Sequence, residues 1–147
     1  MAHSHSCCRE EAVTKMTPNR QLVLSVLQSS GKPLSAYELL DRLREQGTQW
    51  QPPTAYRALD YLVELGLAHY LQSIQKYVVC PHQGCDHFSQ LLICVSCGQV
   101  LEATMAPELL DLLSQQVAAH GFKLAPQFLE LKGMCSHCQR ESSCGEN

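Results

Sequence analysis

Aromatic residues make up only 6% of the 147 residues, with a single tryptophan among them. Aliphatic side chains must therefore build any core, and a hydrophobic content of 45% is enough for one ordinary domain or two small ones. No run approaches the ~20 apolar residues of a membrane span, and no apolar stretch follows a basic start. Neither a membrane association nor a secretory leader is expected, which leaves a cytoplasmic protein. Repeats and low-complexity tracts are missing too. Positive charge is scarce: 11 Lys and Arg face 14 Asp and Glu, a net charge of -3 that by itself argues against nucleic acid. The distribution reverses part of that argument. Up to Val79 there are eight Lys and Arg against seven Asp and Glu, and beyond it three against seven. A polyanion would meet the N-terminal part first.

What the chain has in plenty is cysteine, nine in all. Cys94-Val-Ser-Cys97 and Cys135-Ser-His-Cys138 repeat one spacing, with 37 residues between the inner cysteines. Each short turn can bring two sulfurs to one ion, so the four thiolates suit a closed tetrahedral zinc site that staples the two ends of a C-terminal domain. Structural disulfides or a redox dithiol are the alternative. A reducing compartment favours metal ligands, and a redox pair has no need of a second copy.

Three helical patterns fill the N-terminal part. Thr17 and Pro18 open the first, Val23, Leu24 and Leu27 form its stripe, and Gly31 stops it. Ser35 to Glu38 reads as a capping box for the second, with Leu39, Leu40 and Leu43 on one face up to Gly47. Pro52-Pro53-Thr54 opens the third. Its Ala55, Ala58, Leu59, Leu62 and Leu65 are expected inward, its Thr54, Arg57, Tyr61 and Glu64 outward, and Gly66 ends it. Residues 67–72 and 76–80 are β-prone around a turn at 73–75, a hairpin. Three helices followed by a hairpin make a winged helix-turn-helix, which sets its last helix in the major groove. On that module Arg57 can fork onto guanine or onto phosphate, Thr54 can donate to phosphate, and the hydroxyls of Tyr37 and Tyr56 can do likewise. Taken singly, each has a plainer reading as a solvated or core-rim side chain.

In the C-terminal part, residues 91–93 and 99–102 read as strands flanking the first cysteine turn. Residues 107–120 read as a helix with Leu109, Leu110, Leu113 and Val117 inward, and 126–132 as a third strand. Metal and a partner subunit would both help so small a domain fold. The expected fold class is α+β: a winged helix-turn-helix followed by a small α/β domain with a three-stranded antiparallel sheet. The expected boundaries are a tail at 1–14, the winged helix at 15–80, a hinge at 81–88, the C-terminal domain at 89–138 and a second tail at 139–147.

Pro52-Pro53-Thr54-Ala55-Tyr56-Arg57-Ala58-Leu59, followed by Ile93-Cys94-Val95-Ser96-Cys97-Gly98-Gln99-Val100-Leu101-Glu102, resembles the ferric uptake regulator family, and within it the zinc-sensing branch. The resemblance runs from about Met16 to Cys138. It implies a homodimeric, metal-activated repressor of zinc-uptake genes that reads a two-fold symmetric operator in double-stranded DNA, with the C-terminal α/β domain at 89–138 as its dimerisation domain. It also implies two zinc ions per subunit, one structural at Cys94, Cys97, Cys135 and Cys138, the other regulatory at His69, Cys80, His87 and Glu102. One sulfur, two imidazoles and a carboxylate suit tetrahedral zinc. Two ligands come from each domain, so filling the site would set the angle between them. Cys80, His82, Cys85 and His87 form a local rival set, but that set would restrain only a linker. Many iron- and peroxide-sensing members carry a histidine-rich run before the first cysteine pair. Here that run is Asp86-His87-Phe88-Ser89-Gln90, with one histidine. The terminal His3-Ser4-His5-Ser6-Cys7-Cys8 reads as a tail with opportunistic metal affinity, and Cys144 lies in another. Rival functions are an iron-, peroxide- or redox-responsive regulator of the same family and a zinc store. An enzyme would need a nucleophile with its base or a metal with an open position; neither is visible, and no small-molecule substrate is expected.

Overall fold

The computed structural model describes residues 15–47, 49–80, 88–124 and 128–143. The chain divides into two compact units, Met1–Gly84 and Cys85–Asn147.

The first unit is three helices and a hairpin. Helix α1, Pro18–Ser30, starts on proline and stops where Gly31 turns left-handed at φ 61°. Thr17 takes the extended N-cap conformation without a side-chain cap bond. Helix α2, Ala36–Glu45, carries the capping box read from sequence: the Glu38 amide donates to Ser35 Oγ at 3.2 Å, and the Ser35 amide donates to Glu38 Oε2 at 2.7 Å. Helix α3, Pro52–Glu64, buries Ala55, Ala58, Leu59 and Leu62 against Val23, Leu27, Leu39 and Leu43. Small residues on that face of α3 let the helices approach closely, and aliphatic side chains fill the space between them.

Thr54, Arg57 and Glu64 are exposed as expected, and Tyr61 is not. Its ring packs against the core and lies under Arg20, whose guanidinium carbon is 3.6 Å from the ring centre. A cation over the ring face lets the apolar body of the tyrosine leave water while its hydroxyl end stays polar.

Strands β1, Ala68–Leu71, and β2, Lys76–Val79, pair antiparallel around a turn in which Gln75 adopts φ 53°. A third segment pairs with β2 through one bridge. Leu34 and Tyr77 exchange amide-to-carbonyl bonds of 2.9 and 2.7 Å, which tie the segment before α2 to the hairpin. Lys76 Nζ adds an ion pair to Glu38 Oε1 at 3.0 Å.

The second unit is a three-stranded sheet with two helices. Strand β3, Ser89–Cys94, is central; β4, Val100–Thr104, runs antiparallel on one side and β5, Phe128–Gly133, parallel on the other. The sheet is therefore mixed, a correction to the antiparallel sheet expected from sequence. A tight turn after β3 forces β4 to reverse, whereas the long connection through helix α4, Pro107–Ala118, carries the chain back to the far edge in the direction of β3. Alternating residues Ser89, Leu91 and Ile93 are buried. On the opposite face Leu92 stands between Leu101 and Leu131 in register, and the two flanking leucines are exposed.

Helix α4 differs from expectation as well, since none of its residues is buried. Leu110, Leu113 and Val117 are half-buried, but Leu109 is 48% exposed and Leu112 63%. Residues 139–143, expected as tail, continue helix α5, Ser136–Ser143.

The hydrogen bond from the Ser35 amide, with Lys76 adding to it, holds the Glu38 carboxyl down at about 2. A carboxylate so depressed stabilises the fold above its unfolded value, and that contribution fades as the pH falls toward about 2. Glu38→Ala is expected to lower stability by about 1 kcal/mol at neutral pH, a solvent-screened figure for a half-exposed side chain. Denaturant unfolding of both proteins checks it: the gap should narrow steadily as the pH is lowered from about 5 to about 3.

Candidate metal centres

The first centre lies where β3 and β5 end. Cys94 closes β3, and the turn that follows is bonded back on itself: Gly98 donates to the Cys94 carbonyl and the Cys94 amide to the Gln99 carbonyl, each at 2.9 Å. Gly98 takes φ 72°, a left-handed position that favours glycine and completes the reversal into β4. Cys135 follows β5, and Cys138 falls in the first turn of α5. The Val95 amide donates to the Gly133 carbonyl at 2.9 Å, so the parallel ladder holds one cysteine turn beside the other.

Sulfurs of Cys94, Cys97, Cys135 and Cys138 all lie within 4.8 Å of one another, and Cys97 and Cys135 are 3.9 Å apart. Tetrahedral zinc with bonds of ~2.3 Å needs sulfurs about 3.8 Å apart, so the donor set fits zinc. The Cys135 amide donates to Cys94 Sγ at 3.3 Å. This bond, with further backbone bonds from Cys97 and Ser96, draws the Cys94 thiol down to about 6. Cys138 is pushed the other way, to about 12, chiefly by hydrogen bonding with the Cys135 side chain and then by burial. One thiolate is thus prepared by the backbone while its neighbour resists losing a proton. A divalent cation is what allows all four to ionise together.

The second set divides between the two units. In the hairpin, Leu67 stands opposite Cys80, whose amide donates to the Leu67 carbonyl at 2.9 Å, while His69 stands opposite Val78. His69 and Cys80 therefore share a face, and their ligand atoms lie within 4.8 Å of each other. His69 is buried, 9% exposed, rather than an exposed strand residue. In the second unit, Glu102 stands opposite Leu91 on β4, and both of its carboxylate oxygens are shielded from solvent. His87 lies outside the described residues, as do His82, Cys85, His3, His5, Cys7, Cys8 and Cys144.

Of the candidate nucleic-acid contacts, Tyr37 is 70% exposed at the start of α2 and Tyr56 39% exposed on α3, with Thr54 and Arg57 also in solvent. Thr54 and Arg57, three apart, occupy one side of α3. Asp41 and Arg44 form an intrahelical pair at 3.9 Å. Helix α5, which carries Cys138, is not among the elements expected from sequence; its signal is Ser136 ahead of a largely polar run with His137 and Glu141 at i and i+4, 3.5 Å apart in the structure.

A three-helix unit with a hairpin, followed by a strand-and-helix unit gathered on four cysteines, is the build of a metal-dependent regulator. Residues 11–132 match the model of the Ferric uptake regulator family, and the chain belongs to that family. The Zinc uptake regulation protein of Escherichia coli (strain K12) is 37% identical over 145 residues, covering 98% of this chain and 84% of that one. Among solved structures, a zinc uptake regulator complexed with zinc and DNA aligns with a TM-score of 0.80 at 35% identity, covering 95% of each chain. Holo XcZur aligns with a TM-score of 0.75 at 36% identity, covering 95% of this chain and 99% of that one.

Cys97→Ser is expected to remove one zinc per chain, read by elemental analysis. Structural zinc contributes on the order of 10 kcal/mol in small domains, so the second unit should lose its cooperative unfolding transition while the helices of the first keep theirs.

Proposed function

We propose that the chain is a zinc-responsive DNA-binding repressor of zinc-uptake genes, a regulator and not an enzyme, working as a cytoplasmic homodimer with two zinc ions per subunit. The observation that carries this reading is the similarity to zinc uptake regulators along nearly the whole chain, together with a thiol placed beside an imidazole on the hairpin. Sulfur in the regulatory set favours zinc over the harder donor sets that suit iron. Iron-, peroxide- or redox-responsive regulation and zinc storage are not favoured.

Cys94, Cys97, Cys135 and Cys138 take the structural role. His69, Cys80, His87 and Glu102 take the regulatory one, with two ligands drawn from each unit. Metal that binds the DNA-ready arrangement better than the alternatives shifts the population toward it, and DNA must reciprocally tighten metal binding. Moving from nearly off to nearly on requires about 5.5 kcal/mol of differential binding, within the range of a four-ligand zinc site.

The first unit is the winged helix-turn-helix, with α3 as the recognition helix. Arg57 reads a base edge or a phosphate, while Thr54, Tyr56 and Tyr37 position the backbone. Exposed Leu109, Leu112, Leu101 and Leu131 support burial against a second subunit, and a two-fold dimer calls for a two-fold operator.

The test is binding of an operator-length duplex with and without zinc. Full-length protein should bind tightly only with zinc, with affinity falling steeply as salt rises. His87→Ala and Glu102→Gln should abolish the zinc dependence, and Arg57→Ala should weaken binding by roughly 1–3 kcal/mol. Zinc-independent affinity in the unaltered protein, or unchanged zinc dependence in the His87 variant, sinks the reading.

A further inference from the structure

We infer that Ser89 is a positioning residue for the regulatory metal centre, its hydroxyl turning to hold the Glu102 carboxylate when that carboxylate takes zinc; the inference rests on the reading of Glu102 as a ligand given above. Ser89 opens β3 and is only 4% exposed. Among the described residues its Oγ has no hydrogen-bond partner. Burying a hydroxyl in that state is costly, and an aliphatic or alanine side chain would fill the position without the penalty. The polar atom therefore calls for a purpose.

The register of the sheet supplies one. Ser89 stands opposite Thr104 and Leu91 opposite Glu102, so Ser89 and Glu102 are diagonal neighbours on the same face. Diagonal partners in an antiparallel pair lie within reach of a long side chain such as glutamate. Both carboxylate oxygens of Glu102 are shielded from solvent, so a neighbouring side chain has close access to them. A serine hydroxyl turns about one bond and donates one proton, which is what a carboxylate needs if one oxygen is to be held while the other faces a cation. Ligating carboxylates are commonly held in this way by a second residue, and losing that residue weakens metal binding by roughly 10–100-fold.

The experiment is a zinc titration against a competing chelator, performed on full-length protein already carrying zinc at its four cysteines. The variants are Ser89→Ala, Glu102→Gln and the double variant, and thermal unfolding is measured before the second zinc is added. Ser89→Ala should weaken the second zinc by roughly 10-fold or more while leaving the starting stability unchanged or raised, because the orphan hydroxyl is gone. In the Glu102→Gln background the same change should cost little more, since the residue acts through the carboxylate. Unchanged zinc affinity in Ser89→Ala, beside a weakened Glu102→Gln, overturns the positioning role alone. A loss of equal size in both backgrounds also overturns it. If Glu102→Gln binds the second zinc normally, the ligand assignment falls first.

Discussion

In the second unit the sheet has one buried face and the helix α4 buries nothing completely, so apolar burial alone leaves the chain path loosely determined. The mutual approach of four sulfurs supplies what the core does not. Two turns 37 residues apart in sequence come within 4.8 Å at their ligand atoms, close enough for one ion to take all four. Closing so long a connection costs chain entropy, which zinc bonds there would offset far more readily than a few half-buried leucines. The backbone contributes by aiming the Cys135 amide at Cys94 and so favouring one thiolate before any ion arrives.

The first unit needs no such device, because Leu39, Leu43, Leu59, Leu62 and Val23 make an ordinary aliphatic core. Its stability leaves the exposed side of α3 to be spent on polar groups. The hairpin is coupled to that core twice, through the Leu34 and Tyr77 backbone bonds and through Lys76 and Glu38. His69 and Cys80 thus stand on a hairpin tied to the segment and helix that carry Leu34, Tyr37 and Glu38.

Periodicity and capping chemistry made the first unit legible. The Ser35 to Glu38 box, the proline starts and the Gly31 and Gly66 stops are local signals, and each element formed within a residue or two of them. The four cysteines were legible for the same reason, since ligand spacing is local chemistry. Strand direction was not, because nothing within 128–133 records which way its neighbour runs. Leu109 was assigned inward from a helical stripe that a single chain does not fully cover. Tyr61 was assigned outward because the Arg20 that shelters it lies on another helix. Of the regulatory set, spacing alone could not decide between the interdomain group and the local group around 80–87, and the resemblance to the family chose.

The parallel course of β5 beside β3 has one more consequence. Two strands that advance together also finish together, so Cys94 and Gly133 sit abreast and both sulfur-bearing corners open at one rim. Had the last strand returned the opposite way, its corner would have emerged at the other rim, about 17–20 Å off for six residues of extended chain. No zinc ion spans such a gap. The crossover helix, otherwise a thinly buried connector, is therefore what makes tetrahedral ligation geometrically possible, and shortening it to a hairpin would abolish the metal centre while leaving every cysteine in place.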